Sequence, residues 1–428
     1  MVLEIRLENF YSIKNEISLN FRAENINTEG TKALSSNVID YKGQKILKSI
    51  GLFGANASGK SNIFKAINFC QSLVVESHQF SEGTIFHFSP FRLDGYLGKP
   101  SLFFINFINK DIEFEYSFSL TNTEILKESL YYYPKGRRAK IFDRDENKGK
   151  NKKEIYNFAN GLIPRPFDVA INTSRKTLFL SRACQMDREL CKDLYEFFLL
   201  DFQLGFAPID FRAIGLNLTE SLFKENKAFF LHALSICDSD ISDINFIHEK
   251  SKLPPLPVIV LPSSSPMYDQ TFDTLRFETF HKAAPELSFD LLGEESSGTI
   301  QLFSMLFFIL NVIKEERIFI LDEFDLSLHI KIAEFIIDLF HASSTAQFLF
   351  TSHNTNLIDI KRFRRDQILF AQKKDNGSTE LYSLFDYKDF RENMDAEKGY
   401  LQGRFDAIPI VDNSLTALKG LLESVKAI

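Results

Sequence analysis

The chain has 428 residues, 44% of them apolar and 25% charged, which is close to the globular average and excludes general disorder and fibrous repeats. Its 50 basic and 57 acidic residues leave a net charge of −7, which excludes a globally basic nucleic-acid coat but not a local basic patch. The four cysteines, Cys70, Cys184, Cys191 and Cys237, are too scattered for a disulfide scaffold, and no Cys-x-x-Cys pair suggests a zinc site.

A chain of this length can bury a full core and carry an insertion. Its start, Met1 to Arg6, lacks the basic-then-apolar order of a signal peptide. The longest apolar stretch, Met305 to Ile313, is interrupted by Asn311 and is about half of what spans a bilayer. A soluble, cytoplasmic protein without a membrane partner is expected. Phenylalanine is unusually frequent, at 45 residues, while tryptophan is absent. Phenylalanine is read as the default large core residue rather than as an aromatic binding platform.

Apolar alternation at Ile5 and Leu7, then at Ile17, Leu19 and Phe21, predicts a hairpin at the N-terminus. Ile46 to Phe53 predicts a further strand, followed by a glycine-bearing loop. Beyond the loop, Ile63, Phe64, Ile67, Cys70, Leu73 and Val74 recur at helical spacing. Residues 101–133 read as antiparallel strands. Arg137 to Lys153 carries eight cations against three acids and reads as a basic loop able to meet nucleic acid. Residues 174–245 read as mostly helical. Prolines at 254, 255, 257, 262 and 266 predict turns or a surface connection. From Leu291 onward the order is loop, helix (Gly298 to Glu316), strand (Ile318 to Leu321), helix (Lys331 to His341) and strand (Gln347 to Thr351). Strands alternating with helices predict a parallel sheet covered on both faces.

Chemistry concentrates in four places. Gly54-Ala55-Asn56-Ala57-Ser58-Gly59-Lys60-Ser61 fits G-x-x-x-x-G-K-[ST], in which glycines curl the backbone so that successive N–H groups face a phosphate. The following helix points its positive end at the same anion. Lys60 is expected to reach the β- and γ-phosphates of ATP, and Ser61 to hold Mg²⁺. Ile318-Phe319-Ile320-Leu321-Asp322-Glu323 is a buried strand with two acids at its C-terminal end. Asp322 is placed for the metal and Glu323 for polarising the attacking water. His353, in Thr351-Ser352-His353-Asn354, closes the next strand, where it can reach the γ-phosphate. Glu295-Ser296-Ser297-Gly298-Thr299 opens an apolar helix and is a candidate anion site at that helix's N-terminus.

These four in this order resemble the ABC-type ATPase head of the SMC, RecF and OLD branch. Gly54 to Ser61 with Asn62 is similar to that branch's phosphate loop, and Glu295 to Thr299 to its degenerate signature motif. Ser297 stands where the family has glycine and Thr299 where it has glutamine, and no Q-loop glutamine is identified. Asp325 to His329 falls where the family's D-loop lies. The resemblance implies that two protomers sandwich two ATP molecules, so that Ser296 and Gly298 would contact ATP held on the partner's phosphate loop. A narrower resemblance, carried by Pro90 to Asp94, Thr177 to Ser181 and Gly399 to Phe405, is to bacterial abortive-infection ATPases of the AbiL/RloA type. It implies a separately encoded effector, often a nuclease, since nothing after His353 resembles a TOPRIM nuclease.

The expected architecture is therefore α/β, a P-loop ATPase head with a mixed sheet. Residues 1–124 would form its N-terminal part and 286–428 its C-terminal part, with a mainly helical insertion at 125–285. The expected function is Mg²⁺-dependent ATP hydrolysis driving a switch in a homodimer or higher even oligomer, in antiphage defence. The rival reading is a RecF- or SMC-like repair ATPase that clamps DNA. A transporter's ATP-binding subunit is a third, disfavoured by the long insertion.

Overall fold

In the computed structural model, residues 1–237, 240–251, 272–408 and 414–426 are described. Two sheets dominate. The first is antiparallel and collects β1 (Val2–Glu8), β2 (Ile17–Asn20), β6 (Ser101–Asn109), β7 (Ile112–Leu120), β8 (Ile125–Tyr132), β9 (Ala139–Asp145) and β10 (Tyr156–Phe158). Their order is β10-β9-β8-β7-β6-β1-β2. Between them in sequence lies a small hairpin, β3 (Val38–Tyr41) with β4 (Gln44–Leu47).

The second sheet contains β5 (Ser49–Phe53), β11 (Phe202–Phe206), β15 (Ile318–Asp322), β16 (Gln347–Thr351), β17 (Ile368–Lys373) and β18 (Thr379–Ser383), in the order β11-β15-β16-β5-β17-β18. All neighbours are parallel except the edge strand β18. Its central strands are apolar on both faces, as a sheet covered twice requires. Ile50, Leu52, Ile318, Ile320 and Leu349 face one core layer, shared with the antiparallel sheet and helix α1 (Lys60–Glu76). Phe53, Phe319, Leu321, Phe348 and Phe350 face the other. Each of these side chains is nearly inaccessible, and burying one is worth about 1.5–3 kcal/mol. At Gly51 the Phe350 ring occupies the space of a side chain: a Cβ there would stand 2.7 Å from it.

The second layer is completed by α2 (Leu216–Ile236), α3 (Ser297–Lys314) and α4 (Ile330–Ala342). Helix α3 is long and apolar enough in composition to cross a bilayer, but 56% of it is buried inside the protein. Phenylalanine serves the core here, as expected. The rings of Phe211, Phe223, Phe230, Phe277, Phe303 and Phe307 form one continuous cluster against α3. A three-stranded sheet, β12 (Ile241–Ser251), β13 (Phe272–His281) and β14 (Ala284–Asp290), packs beside it. The C-terminal helix α5 spans Leu415–Lys426.

Three expectations need correction. Residues 125–285 are not mainly helical: β8, β9 and β10 continue the antiparallel sheet, β11 joins the parallel sheet beside β15, and β12 and β13 pair with each other. Residues 202–206 alternate at Phe202, Leu204 and Phe206, but a run this short between helical stretches is easily read as part of them. Nor is Arg137 to Lys153 a basic loop, because β9 runs through it. Arg144 is fully buried between Glu128 and Glu146, Arg138 pairs with Glu115, and Lys140 with Asp143. Finally, the strand expected over 46–53 is two strands parted at Lys48, whose ammonium donates to the His341 and Ser343 carbonyls. The prolines at 254–266 lie outside the described residues.

Candidate functional site

The phosphate loop joins β5 to α1, and its conformation demands its glycines. Gly54 has φ 150°, and a Cβ there would lie 2.3 Å from the Ala371 carbonyl oxygen. Gly59 has φ 106°, and its Cβ would stand 1.9 Å from Thr379 Oγ1. No other residue type fits either position without moving its neighbour. Ala57, at φ 62°, also adopts the left-handed region and is exposed with Asn56 at the loop's apex. Thr379 Oγ1 donates to the Ser58 carbonyl and lies 2.7 Å from Ser12 Oγ, which accepts from Asn62 Nδ2 at 2.8 Å. The Ala55 N–H donates to the Ala407 carbonyl. Asn62, expected at the nucleotide, thus braces the loop from behind.

Lys60 is buried, and its ammonium donates to the Gly54 carbonyl at 2.7 Å and the Ala55 carbonyl at 3.1 Å. Burial lowers its pKa to about 8, against the opposing pull of Asp322 and Glu323. Those two acids close β15, and the loop therefore lies within electrostatic reach of them. Strand β16 stands between β5 and β15, and its last residue ties the site together. Thr351 Oγ1 donates to Asp322 Oδ1 at 2.5 Å and accepts from the Glu323 N–H at 2.7 Å. Glu323 takes φ 53°, unusual for a non-glycine residue and of the kind that clusters at functional sites.

His353 Nε2 lies 3.6 Å from Glu323 Oε1, and both side chains are 44% exposed. Burial and then the Lys60 cation lower the histidine's pKa, against Glu323, Asp325 and Asp322. Asp325 accepts from Ser352 Oγ at 2.7 Å, and burial raises its pKa. The C-terminal ends of β5, β15 and β16 thus gather one cation, three acids and a histidine that favours its neutral form.

The remaining candidates, Ser296 and Gly298, lie at the start of α3. Ser296 caps that helix, accepting from the Thr299 N–H at 3.1 Å. A Cβ at Gly298 would approach the Ser327 carbonyl oxygen to 3.1 Å, so the helix start abuts the turn that follows Glu323. Among the described residues no hydrogen bond joins Ser296 or Gly298 to the phosphate loop of the same chain.

The residues fit a magnesium nucleotide. Ser58 Oγ is buried without a partner, and Lys60 rests only on backbone carbonyls that a phosphate would replace. Among the described residues no three His, Cys, Asp or Glu side chains form a metal cluster. Three acids nearer the C-terminus have structural partners: Asp386 and Asp395 cap helical turns, and Glu397 accepts from Thr355. A second basic run, Lys361-Arg362-Phe363-Arg364-Arg365, is partly engaged. Arg362 pairs with Glu334 and Asp338, and Arg364 is buried against Asp366.

Residues 49–359 match the family described as "AAA domain, putative AbiEii toxin, Type IV TA system". The chain belongs to this family. No curated protein matches it. Among solved structures it is similar to the Smc head bound to the C-winged helix domain of ScpA, at 14% identity and TM-score 0.40, over 89% of this chain and 97% of that one. It is also similar to the SMC head domain from Thermotoga maritima, at 13% identity and TM-score 0.36, over 89% and 98%. A third is the Smc head domain with an extended coiled coil, bound to the C-terminal domain of ScpA derived from Pyrococcus furiosus, at 14% identity and TM-score 0.38, over 89% and 96%. Sequence reasoning reached the phosphate loop, Asp322, Glu323 and His353. It passed over Thr351 as a bridge, and the only signal for it was its position beside Ser352 and His353.

Proposed function

We propose that the protein hydrolyses ATP with Mg²⁺ and that two copies share their sites. The observation that carries the reading is the convergence of Lys60, Asp322, Glu323 and His353 at adjacent strand ends, beside a loop whose glycines let Ala371 and Thr379 pack closely against its backbone. Lys60 faces the β- and γ-phosphates as a cation. Ser61 and Asp322 would hold Mg²⁺, which when bound neutralises phosphate charge during in-line displacement. Glu323 accepts the proton of the attacking water, and neutral His353 beside it keeps an N–H to offer the γ-phosphate. The backbone N–H groups from Gly59 to Ser61, at the start of α1, would cradle the phosphates. The exposure of Ser296 at the start of α3 is compatible with its use on a partner's nucleotide.

The biological setting follows as part of the same proposal. The family's description, a putative AbiEii toxin of a type IV toxin–antitoxin system, is in keeping with a role in antiphage defence, and a separately encoded effector is part of the proposal. Of the cations in residues 137–153, Arg144 is buried and Arg138 and Lys140 are paired, which leaves less free charge there for nucleic acid.

Glu323→Gln tests the mechanism. It keeps the side chain's shape but removes the base, so turnover should fall by about two to four orders of magnitude. ATP binding should persist, and the chains should accumulate as ATP-bound dimers in sedimentation. Wild-type turnover in this variant would show that Glu323 is not the base.

A further inference from the structure

The start of α3 is gripped from a direction the phosphate loop does not supply. Glu295 directly precedes the Ser296 cap, yet its side chain is only 8% exposed, while Ser296 and Ser297 lie open. Its Oε1 accepts from Thr279 Oγ1 at 2.5 Å and lies 2.9 Å from His281 Nε2. Both partners belong to β13. An ionised carboxylate only accepts, so His281 Nε2 is the donor. His281 is itself held by Asp240, whose Oδ2 lies 3.6 Å from Nδ1, and by the Phe289 ring edge-on at 4.8 Å. Thr279 is fully buried.

This clamp has an electrostatic consequence. A loose carboxylate one residue before the cap would be drawn to the positive end of α3 and would compete there with phosphate. Thr279 and His281 turn it onto the three-stranded sheet instead. The same sheet holds the body of α3, because the Phe277 ring packs on Phe303 at 5.1 Å. Carboxylate and helix are therefore registered to one strand.

We infer that Glu295 is a positioning residue: clamped by Thr279 and His281, it sets the Ser296–Gly298 end of α3 for phosphate and makes the β12–β14 sheet the element that governs ATP turnover. The effect on turnover rests on the shared-site reading; the clamp itself does not. Mixed dimers of full-length chains test it, with Lys60→Ala on one chain so that one site remains. His281→Leu on the Lys60→Ala chain weakens the start of α3 that serves the live site, and turnover should fall about tenfold or more. On the other chain it weakens only the dead site, and turnover should stay within about twofold. His281→Gln, whose amide can still donate to Glu295, should restore activity in the first arrangement. Equal loss in both arrangements, or loss only in the second, overturns the inference. Failure of the shared-site reading shows itself separately, as a wild-type chain that does not associate with ATP or a one-site dimer that is silent. Hydrogen exchange of the single chain then decides the clamp. His281→Leu should speed exchange across residues 295–299 and leave 54–61 unchanged, and an unaltered rate at 295–299 overturns it.

Discussion

Thr351 shows how much of this site hangs on one hydroxyl. It donates to Asp322 and accepts from the Glu323 N–H, so both acids at the end of β15 are oriented from the neighbouring strand. A hydrogen bond to a charged group is worth about 1.5–3 kcal/mol. Thr351→Val keeps the volume and the β-strand preference but loses both bonds. The expected result is a drop in kcat of about 10–100-fold, with KM for ATP changed far less, because the phosphate loop is untouched. Thr351→Ser should recover most of the rate. Steady-state kinetics on the two variants decides the point, and an unimpaired valine variant would remove Thr351 from the mechanism. Gly54 and Gly59 belong to the same scale: their roles were legible from the loop's residue pattern, whereas their neighbours Ala371 and Thr379 are more than 300 positions away in the chain.

The joint between α4 and the parallel sheet carries a pH-sensitive group. His341, near the end of α4, lies 2.7 Å from Ser49 Oγ at the start of β5, and Gln367 Nε2 donates to the same hydroxyl at 2.8 Å. Burial, then the Lys48 and Arg362 cations, lowers its pKa to about 3 from the ordinary 6.5. The folded protein thus keeps His341 neutral where the unfolded chain would protonate it, so this contribution is complete above pH 6.5 and is lost as pH falls toward 3. By pH 5 the loss is about 2 kcal/mol. His341→Gln should be less stable than wild type at pH 7.5 but lose about 2 kcal/mol less on moving to pH 5, by urea unfolding at the two pH values. Identical pH slopes would mean that His341 is protonated in the folded state. The elements around this joint were readable in advance. Strands buried on both faces appear as unbroken apolar runs (318–321 and 348–350), and α4 has a clear apolar face. Strands β11 and β12 were not: β11 alternates at Phe202, Leu204 and Phe206 over only five residues between helical stretches, and in the 11 residues of β12 the alternation is confined to Ile244 and Phe246.

At the scale of the molecule, the phosphate loop and the start of α3 are separate features of one chain. The shared-site proposal therefore makes a prediction about mixtures. Lys60→Ala and Ser296→Arg chains should each be inactive alone. Combined, they place both lesions in one site of the mixed dimer and leave the other intact, so turnover should recover to a measurable fraction of wild type. Mixing at several ratios and following phosphate release gives the answer. No recovery at any ratio, with mixed dimers shown to form, would count against a site built from two chains.

Local sequence alone determined the glycine pattern of the phosphate loop, the placing of the acids at the end of β15 and of the histidine after β16, and the α/β order of the last third. These depend on residues within one or two turns of each other, where glycine conformation, helix period and apolar runs act directly. Tertiary structure decided what joins distant parts of the chain. It inserted β16 between β5 and β15, so that Thr351 meets Asp322 and Glu323. It also buried Arg144 between two glutamates and drew Glu295 onto β13. Strand order and the pairing of buried charges are set by contacts across long stretches of chain, and no local period or spacing records which partner a side chain will meet.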